Sequence, residues 1–175
     1  MRAVQVEACV PTDADLIADL GWRTFEETYA ADTSKENMER HLAEAYAPDQ
    51  VRRELTTPGS RFFVARVGDV PAGYLKVNTG DAQTELKEAA GLEIEALYVS
   101  GEFQGRGIGG LLLEKALGEA EAVDADYVWL GVWERNVKGR RFWERMGFVE
   151  FGAHPFRFGG IEHTDVMMKR ELKPA

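Results

Sequence analysis

Apolar and polar positions alternate over "AVQVEACV" (3–10), the period of two that sends successive side chains to opposite faces of a strand. The period then lengthens. Thr12 and Asp15 stand at capping-box spacing ahead of "DADLIADLGWRTFEETYA", which predicts a helix over about 13–30. Thr33 with Glu36 predicts a second helix, "SKENMERHLAEAY", carrying Met38, Leu42 and Ala45 on one face. Pro48 opens a short third helix through "DQVRREL". "RFFVARVGDVPAGYLKVN" (61–78) is two apolar runs joined by Gly68-Asp69, which predicts a hairpin. Residues 79–91 are polar and predict a loop, and "LEIEALYV" (92–99) predicts the next strand. "IGGLLLEKALGEAEAV" has helical spacing, "YVWLGVW" (127–133) is a strand, and "VKGRRFWERM" (137–146) is a helix stopped by Gly147. "FVEFGAH" and "HTDVMMKREL" close the chain as strands. The order is β-αα-ββ-β-α-β-α-β-β, a mixed α/β fold expected to form one domain over 1–175.

Composition narrows the partners. The net charge is −9, which argues against a basic nucleic-acid-binding face and suits a cationic small molecule. No apolar run approaches the roughly 20 residues of a membrane span, and the N-terminal stretch turns acidic early, so a cytoplasmic protein is expected. The single cysteine, Cys9, excludes an internal disulfide. Cys9 and the histidines His41, His154 and His163 show no metal-ligand spacing, so no metal is expected.

"FQGRGIGG" (103–110) has two readings. Gly105, Gly107 and Gly110 spell G-x-G-x-x-G, the turn that holds a dinucleotide, and Asp124 and Asp126 follow at about the ribose-binding distance. Both acids precede the next strand, however, and the turn begins after residue 100 of 175, which leaves too little chain for a six-strand doubly wound sheet. Gln104 begins the second reading, Q-x-x-G-x-G. In either case the glycines let the backbone approach a pyrophosphate, and the helix that follows offers free N–H groups and a positive dipole end.

With "TFEETYAADTSKENMERHL", "LEIEALYVSGEFQGRGIGGLLLEKAL" and "WLGVWERN…FWERMGFV" in this order, the chain resembles the GNAT superfamily of N-acetyltransferases over nearly its whole length. Within it, the chain is similar to the bacterial spermidine/spermine type. The resemblance implies acetyl-CoA as donor, a small cationic amine such as a polyamine as acceptor, and a homodimer as one assembly; an amino acid, an aminoglycoside or a protein N-terminus as acceptor, or acyl-CoA binding without turnover, are the alternatives. It also implies parallel strands 92–99 and 127–133 that splay apart, so that backbone of Leu97, Tyr98 and Val99 pairs with the pantetheine arm. Gln104, Gly105, Arg106, Gly107, Ile108, Gly109 and Gly110 are the implied phosphate cradle. Asn136 is an implied cofactor contact, or the cap of the helix at 137. Lys138, Arg140 and Arg141 meet phosphates or solvent.

An acid on the 92–99 strand is the implied base. Glu93 best matches the spacing from the glycine turn, and Glu95, two residues on and on the same face, is the alternative base or a cation anchor. The family's tyrosine on the last helix is Trp143 here, whose indole N–H is no usable acid. Solvent or Tyr98 is left to protonate the thiolate, and Trp143 is either a cofactor contact or core. Trp22, Phe25, Glu26 and Tyr29 are candidate substrate contacts by the same resemblance, with core packing as the alternative for Trp22 and Phe25.

Overall fold

The computed structural model describes residues 3–158 and 161–174. Seven strands form one sheet: β1 (Val4–Ala8), β2 (Ser60–Val67), β3 (Val70–Thr79), β4 (Gly91–Val99), β5 (Tyr127–Trp133), β6 (Val149–Phe158) and β7 (Ile161–Glu171). Their spatial order is β1-β2-β3-β4-β5-β7-β6, antiparallel except for β4 against β5. Among the described residues the five α-helices are α1 (Ala14–Tyr29), α2 (Lys35–Ala45), α3 (Pro48–Leu55), α4 (Ile108–Ala122) and α5 (Val137–Arg145). The mixed α/β architecture is the one expected from the sequence, and the order matches except that three helices, not two, stand between β1 and β2, the third being the short helix read from Pro48.

Helices cover both faces of the sheet's centre, so the central strands β2 to β5 alternate between two apolar layers, while β6 is largely exposed. Leu92 and Ile94 of β4, with Phe63, Leu75 and Val128, pack against Ile108, Leu112 and Ala116 of α4 and against Trp143 of α5. On the opposite face Phe62, Val64 and Tyr74 pack against Ile17 and Leu20 of α1 and Val51 of α3. Gly21 permits one close approach there. A Cβ at that position would stand 2.3 Å from the Tyr46 ring, which holds its hydroxyl 3.1 Å from that of Tyr74.

Local details depart from the sequence expectations in three places. Asp13, not Thr12, ends the chain entering α1, and its carboxylate accepts from Val10 N at 2.8 Å instead of capping the helix. Ser34, not Thr33, caps α2, its hydroxyl accepting from Asn37 N at 3.2 Å. The closing hairpin is longer than its apolar runs indicate, because β6 and β7 pair out to Phe158 and Ile161.

Candidate active site

β4 and β5 pair only through Gly91–Tyr127, Leu92–Val128 and Glu93–Trp129. Beyond Glu93 the two parallel strands separate. β4 stays paired on its other side, with Leu97 opposite Leu75, Tyr98 opposite Tyr74 and Val99 opposite Gly73. Polar backbone on the β5 side of this segment has no strand neighbour, and buried backbone groups need partners.

One irregularity sets which β4 side chains enter the opening. Lys76 pairs with Ala96 and Val77 with Ile94, so Glu95 is an extra residue, a β-bulge. Strict alternation would put Tyr98 on the face opposite Glu93. The bulge shifts the phase, so Glu95, Ala96 and Tyr98 share one face while Leu97 and Val99 turn to the α4 core.

That face carries two adjoining cavities, of about 500 Å³ and about 370 Å³, with Phe25, His41, Glu95 and Tyr98 in the walls of both. The larger is bordered by Glu44, Tyr46, Glu54 and Lys76, the smaller by Tyr29, Trp133, Phe158, His163 and Asp165. Lys76 lies between two acids, 2.5 Å from Glu54 Oε1 and ion-paired with Glu95. Glu95 has a third of its side chain accessible (32%), because it borders open cavity space while protein atoms surround the rest. Burial pushes its carboxyl above the usual range, and Lys76 only partly opposes this. Burial pulls the Lys76 ammonium down, but Glu95 and Glu54 outweigh it and hold the net value above that of an ordinary lysine. Burial pushes the Tyr98 hydroxyl well up, and the neighbouring hydroxyls of Tyr29 of α1 and Tyr46 add to the shift.

Glu93 is placed differently. It is 3% exposed, borders neither cavity and already accepts three hydrogen bonds. These come from Asn78 Nδ2 at 2.9 Å, Thr84 N at 2.8 Å and Thr84 Oγ1 at 2.5 Å. The polar stretch 79–91, expected to be a plain loop, folds over the strand to supply them, and Gln83 accepts from Trp129 Nε1 at 2.7 Å beside them. Glu93 and Glu95 do share a face, but only Glu95 reaches the cavities.

The glycine turn is bare toward solvent. Gly105 and Gly107 have φ of +78° and +81°, where a side chain is strained, and a Cβ at either would touch nothing within 4 Å. Gly107 precedes α4 with no side-chain cap, and the first helical bond runs from Leu111 N to Gly107 O. The N–H groups of Ile108, Gly109 and Gly110 therefore precede the hydrogen-bond ladder. This geometry fits a pyrophosphate. Gly109 has a second task, since its Cβ would lie 3.4 Å from the Phe142 ring, where α4 meets α5.

Other expected contacts are engaged within the protein. Gln104 donates to Val99 O at 3.0 Å and accepts from Lys138 Nζ at 2.6 Å, so it braces the turn and occupies the Val99 carbonyl. Arg106 lies over the Phe103 ring at 5.2 Å. Asn136 accepts from Gly139 N at 3.0 Å as the cap of α5. Arg140 pairs with Glu150. Trp143 is core, 7% exposed between Phe142 and Phe148. On α1, Phe25 and Tyr29 border the cavities, Trp22 packs beside Met38 and Leu42, and Glu26 is exposed away from them. Glu27 instead reaches the site's edge, accepting from Gly101 N at 2.8 Å. The wall residues Tyr46, Lys76, Trp133 and Asp165 carried no local sequence signal; strand pairing and helix packing bring them together.

A mixed sheet opened between two parallel strands, with a bare helix start after the first of them, is an architecture that receives an extended phosphate-bearing cofactor. Residues 17–148 match the Acetyltransferase (GNAT) family model, and the chain belongs to that family. It is an acetyl-CoA-dependent N-acetyltransferase. An uncharacterised N-acetyltransferase from the pepI 3′ region of Lactobacillus delbrueckii subsp. lactis is 34% identical over 172 residues, 98% of this chain and 99% of that one. An uncharacterised N-acetyltransferase of Mycobacterium tuberculosis is 29% identical over 161 residues, 92% and 99% of the two chains. The fold is like that of the PaiA N-acetyltransferase from Thermoplasma acidophilum in complex with coenzyme A, with a TM-score of 0.80 at 19% identity over 97% of this chain and 99% of that one. The nicotinamide alternative is thereby set aside.

Proposed function

We propose that the enzyme acetylates a primary amine of a small cationic acceptor, a polyamine, with both reactants bound at once. The observation that carries the proposal is the placement of Glu95 in the common wall of both cavities, just beyond the last β4–β5 pair. The N–H groups of Ile108, Gly109 and Gly110 would hold the pyrophosphate, with Gly105 and Gly107 giving it room and Arg106 near it. The open backbone of Leu97 and Tyr98 would pair with the pantetheine amides. The coenzyme A bound in the Thermoplasma relative of the same fold supports this reading. Bound acetyl-CoA supplies a thioester; a C–N bond forms, the C–S bond breaks, and the products are an amide and coenzyme A.

An alkylammonium has a pKa of about 10.4, so freeing its lone pair at pH 7 costs about 4.6 kcal/mol. Glu95, not Glu93, takes that proton. Its carboxyl is raised by burial and therefore more basic, and it borders the acceptor space; Glu93 holds the strand and the 79–91 segment in place. Tyr98 remains protonated at neutral pH. A thiolate has a pKa of about 8.5, below that of this hydroxyl, so Tyr98 donates a hydrogen bond to the leaving sulfur and solvent completes the protonation. Phe25 and Tyr29 offer ring faces to an alkylammonium chain. The lone Cys9 and an acidic surface suit a cytoplasmic enzyme.

The test is thiol release with polyamines, amino acids, aminoglycosides and peptide N-termini, for wild type and Glu95→Gln. Polyamines are expected to rank first. Glu95→Gln is expected to lower kcat about 10²–10⁴-fold near neutral pH, a deficit that narrows at high pH, where free amine is abundant. Polyamines ranking well below another class, or a deficit flat with pH, overturns the assignment.

A further inference from the structure

The two cavities differ in charge balance. In the larger, Glu54 and Glu95 share Lys76 as a counter-ion, and Gln50 adds a hydrogen bond to Glu54 at 3.1 Å. In the smaller, Asp165 has no ion pair among the described residues. It sits on β7 opposite Trp133 of β5 and over Gly131, where a Cβ would stand 3.3 Å from its Oδ2. Burial pushes its carboxyl up to about 6, with His154 pulling the other way. A half-buried carboxylate without a counter-ion is costly, and a bound cation relieves the cost.

The walls around Asp165 suit a cation of a particular kind. Tyr29, Trp133, Phe158 and His163 present rings, and Tyr29 and Trp133 stand 5.2 Å apart between centroids. Ring faces attract ammonium groups and accept the methylene chain between two of them. Trp133 is 5% exposed, and its indole N–H has no acceptor among the described residues. A carboxylate without a counter-ion thus stands in the wall of an aromatic chamber, and that chamber adjoins Glu95.

We propose that Asp165 anchors a second ammonium of the acceptor, so that the enzyme selects diamines and longer polyamines threaded with one amine at Glu95 and another in the aromatic chamber. This rests on the amine-acetylation reading of the same site. It makes Asp165 a specificity determinant on β7, far in sequence from the proposed base.

Binding tests the subsite without turnover. Calorimetry on the full chain loaded with coenzyme A would compare cadaverine and spermidine with pentylamine, near neutral pH. The doubly charged ligands are expected to bind at least about tenfold more tightly than the monoamine. In Asp165→Asn that ratio is expected to fall to about one. Thermal melting checks that the variant folds, and Asp165→Ala removes the same charge should the asparagine protein not fold. Equal affinity of wild type for diamine and monoamine, or a preference that survives both substitutions, overturns the proposal. Thiol release with the same ligands separates the two readings. Selective, Asp165-dependent binding without turnover supports the subsite and counts only against acetyl transfer to these amines.

Discussion

Lys76 of β3 pairs with Glu95 at the one position where β4 carries an extra residue opposite β3. The bulge and the ion pair together hold the carboxylate in the wall of both cavities. Its charge is thus governed by a lysine on the neighbouring strand and by burial, which act in opposite directions.

Removing that lysine moves the pH profile in a defined direction. Lys76 favours the ionised form of Glu95, so Lys76→Met raises the Glu95 pKa further. With Glu95 as the proposed base, activity depends on its ionised form, and the acid limb of kcat/KM is expected to move up by about one to three pH units. Glu54 loses the same partner. The stability loss is expected to be below the roughly 3–5 kcal/mol of a fully buried pair, because both carboxylates are partly accessible. A pH–rate series and urea unfolding check the two outcomes.

Substitutions at Glu93 read out structure. Glu93→Ala leaves Asn78 and Thr84 facing an empty site, which is expected to cost about 2–4 kcal/mol at roughly 1 kcal/mol for each of three lost bonds. Glu93→Gln keeps an oxygen for Asn78 and Thr84 N, and the Thr84 hydroxyl can turn to accept; a loss of about 1 kcal/mol is expected. Denaturant midpoints measure both. A kcat loss of several orders of magnitude in a stable Glu93→Gln, shrinking at high pH, would return the base to this residue.

Acetyl-CoA is expected to raise the melting temperature through the turn before α4. A ligand at a hundred times its dissociation constant contributes about 2.7 kcal/mol. Gly107→Val places a branched side chain at φ +81° and fills the space in front of the helix start. The strain is expected to cost about 1–3 kcal/mol in the unliganded protein and to abolish the acetyl-CoA shift. Thermal melting with and without cofactor separates these effects.

Trp143→Phe is expected to act on packing. The indole lies between Phe142 and Phe148, at ring distances of 4.9 and 5.1 Å, within the core shared by α4 and α5. A smaller ring there is expected to cost about 1–3 kcal/mol of stability. With cofactor affinity intact, kcat is expected to stay within about tenfold of wild type. Unfolding and steady-state rates on one preparation check the pair.

The sequence alone determined the order of elements, the Gly68-Asp69 hairpin, the β5 strand and the glycine turn ahead of α4. Each depends on local chemistry: side-chain period, the φ that glycine permits, and the unpaired N–H groups at a helix start. It also brought Glu93 and Glu95 to notice, since two acids in an apolar strand are unusual. The choice between them needed the fold. The β4 bulge exists only relative to the register of β3, and the segment that saturates Glu93 reads locally as a polar loop. Gln104, Asn136 and Trp143 sit where a resemblance assigns cofactor contacts, yet their side chains are engaged by Val99 and Lys138, by Gly139, and by the core. Asp165 and Trp133 meet across two strands, and Tyr29 reaches them from α1, more than a hundred residues from either. Such contacts follow from sheet order and helix packing, which the spacing of side chains along the chain does not encode locally.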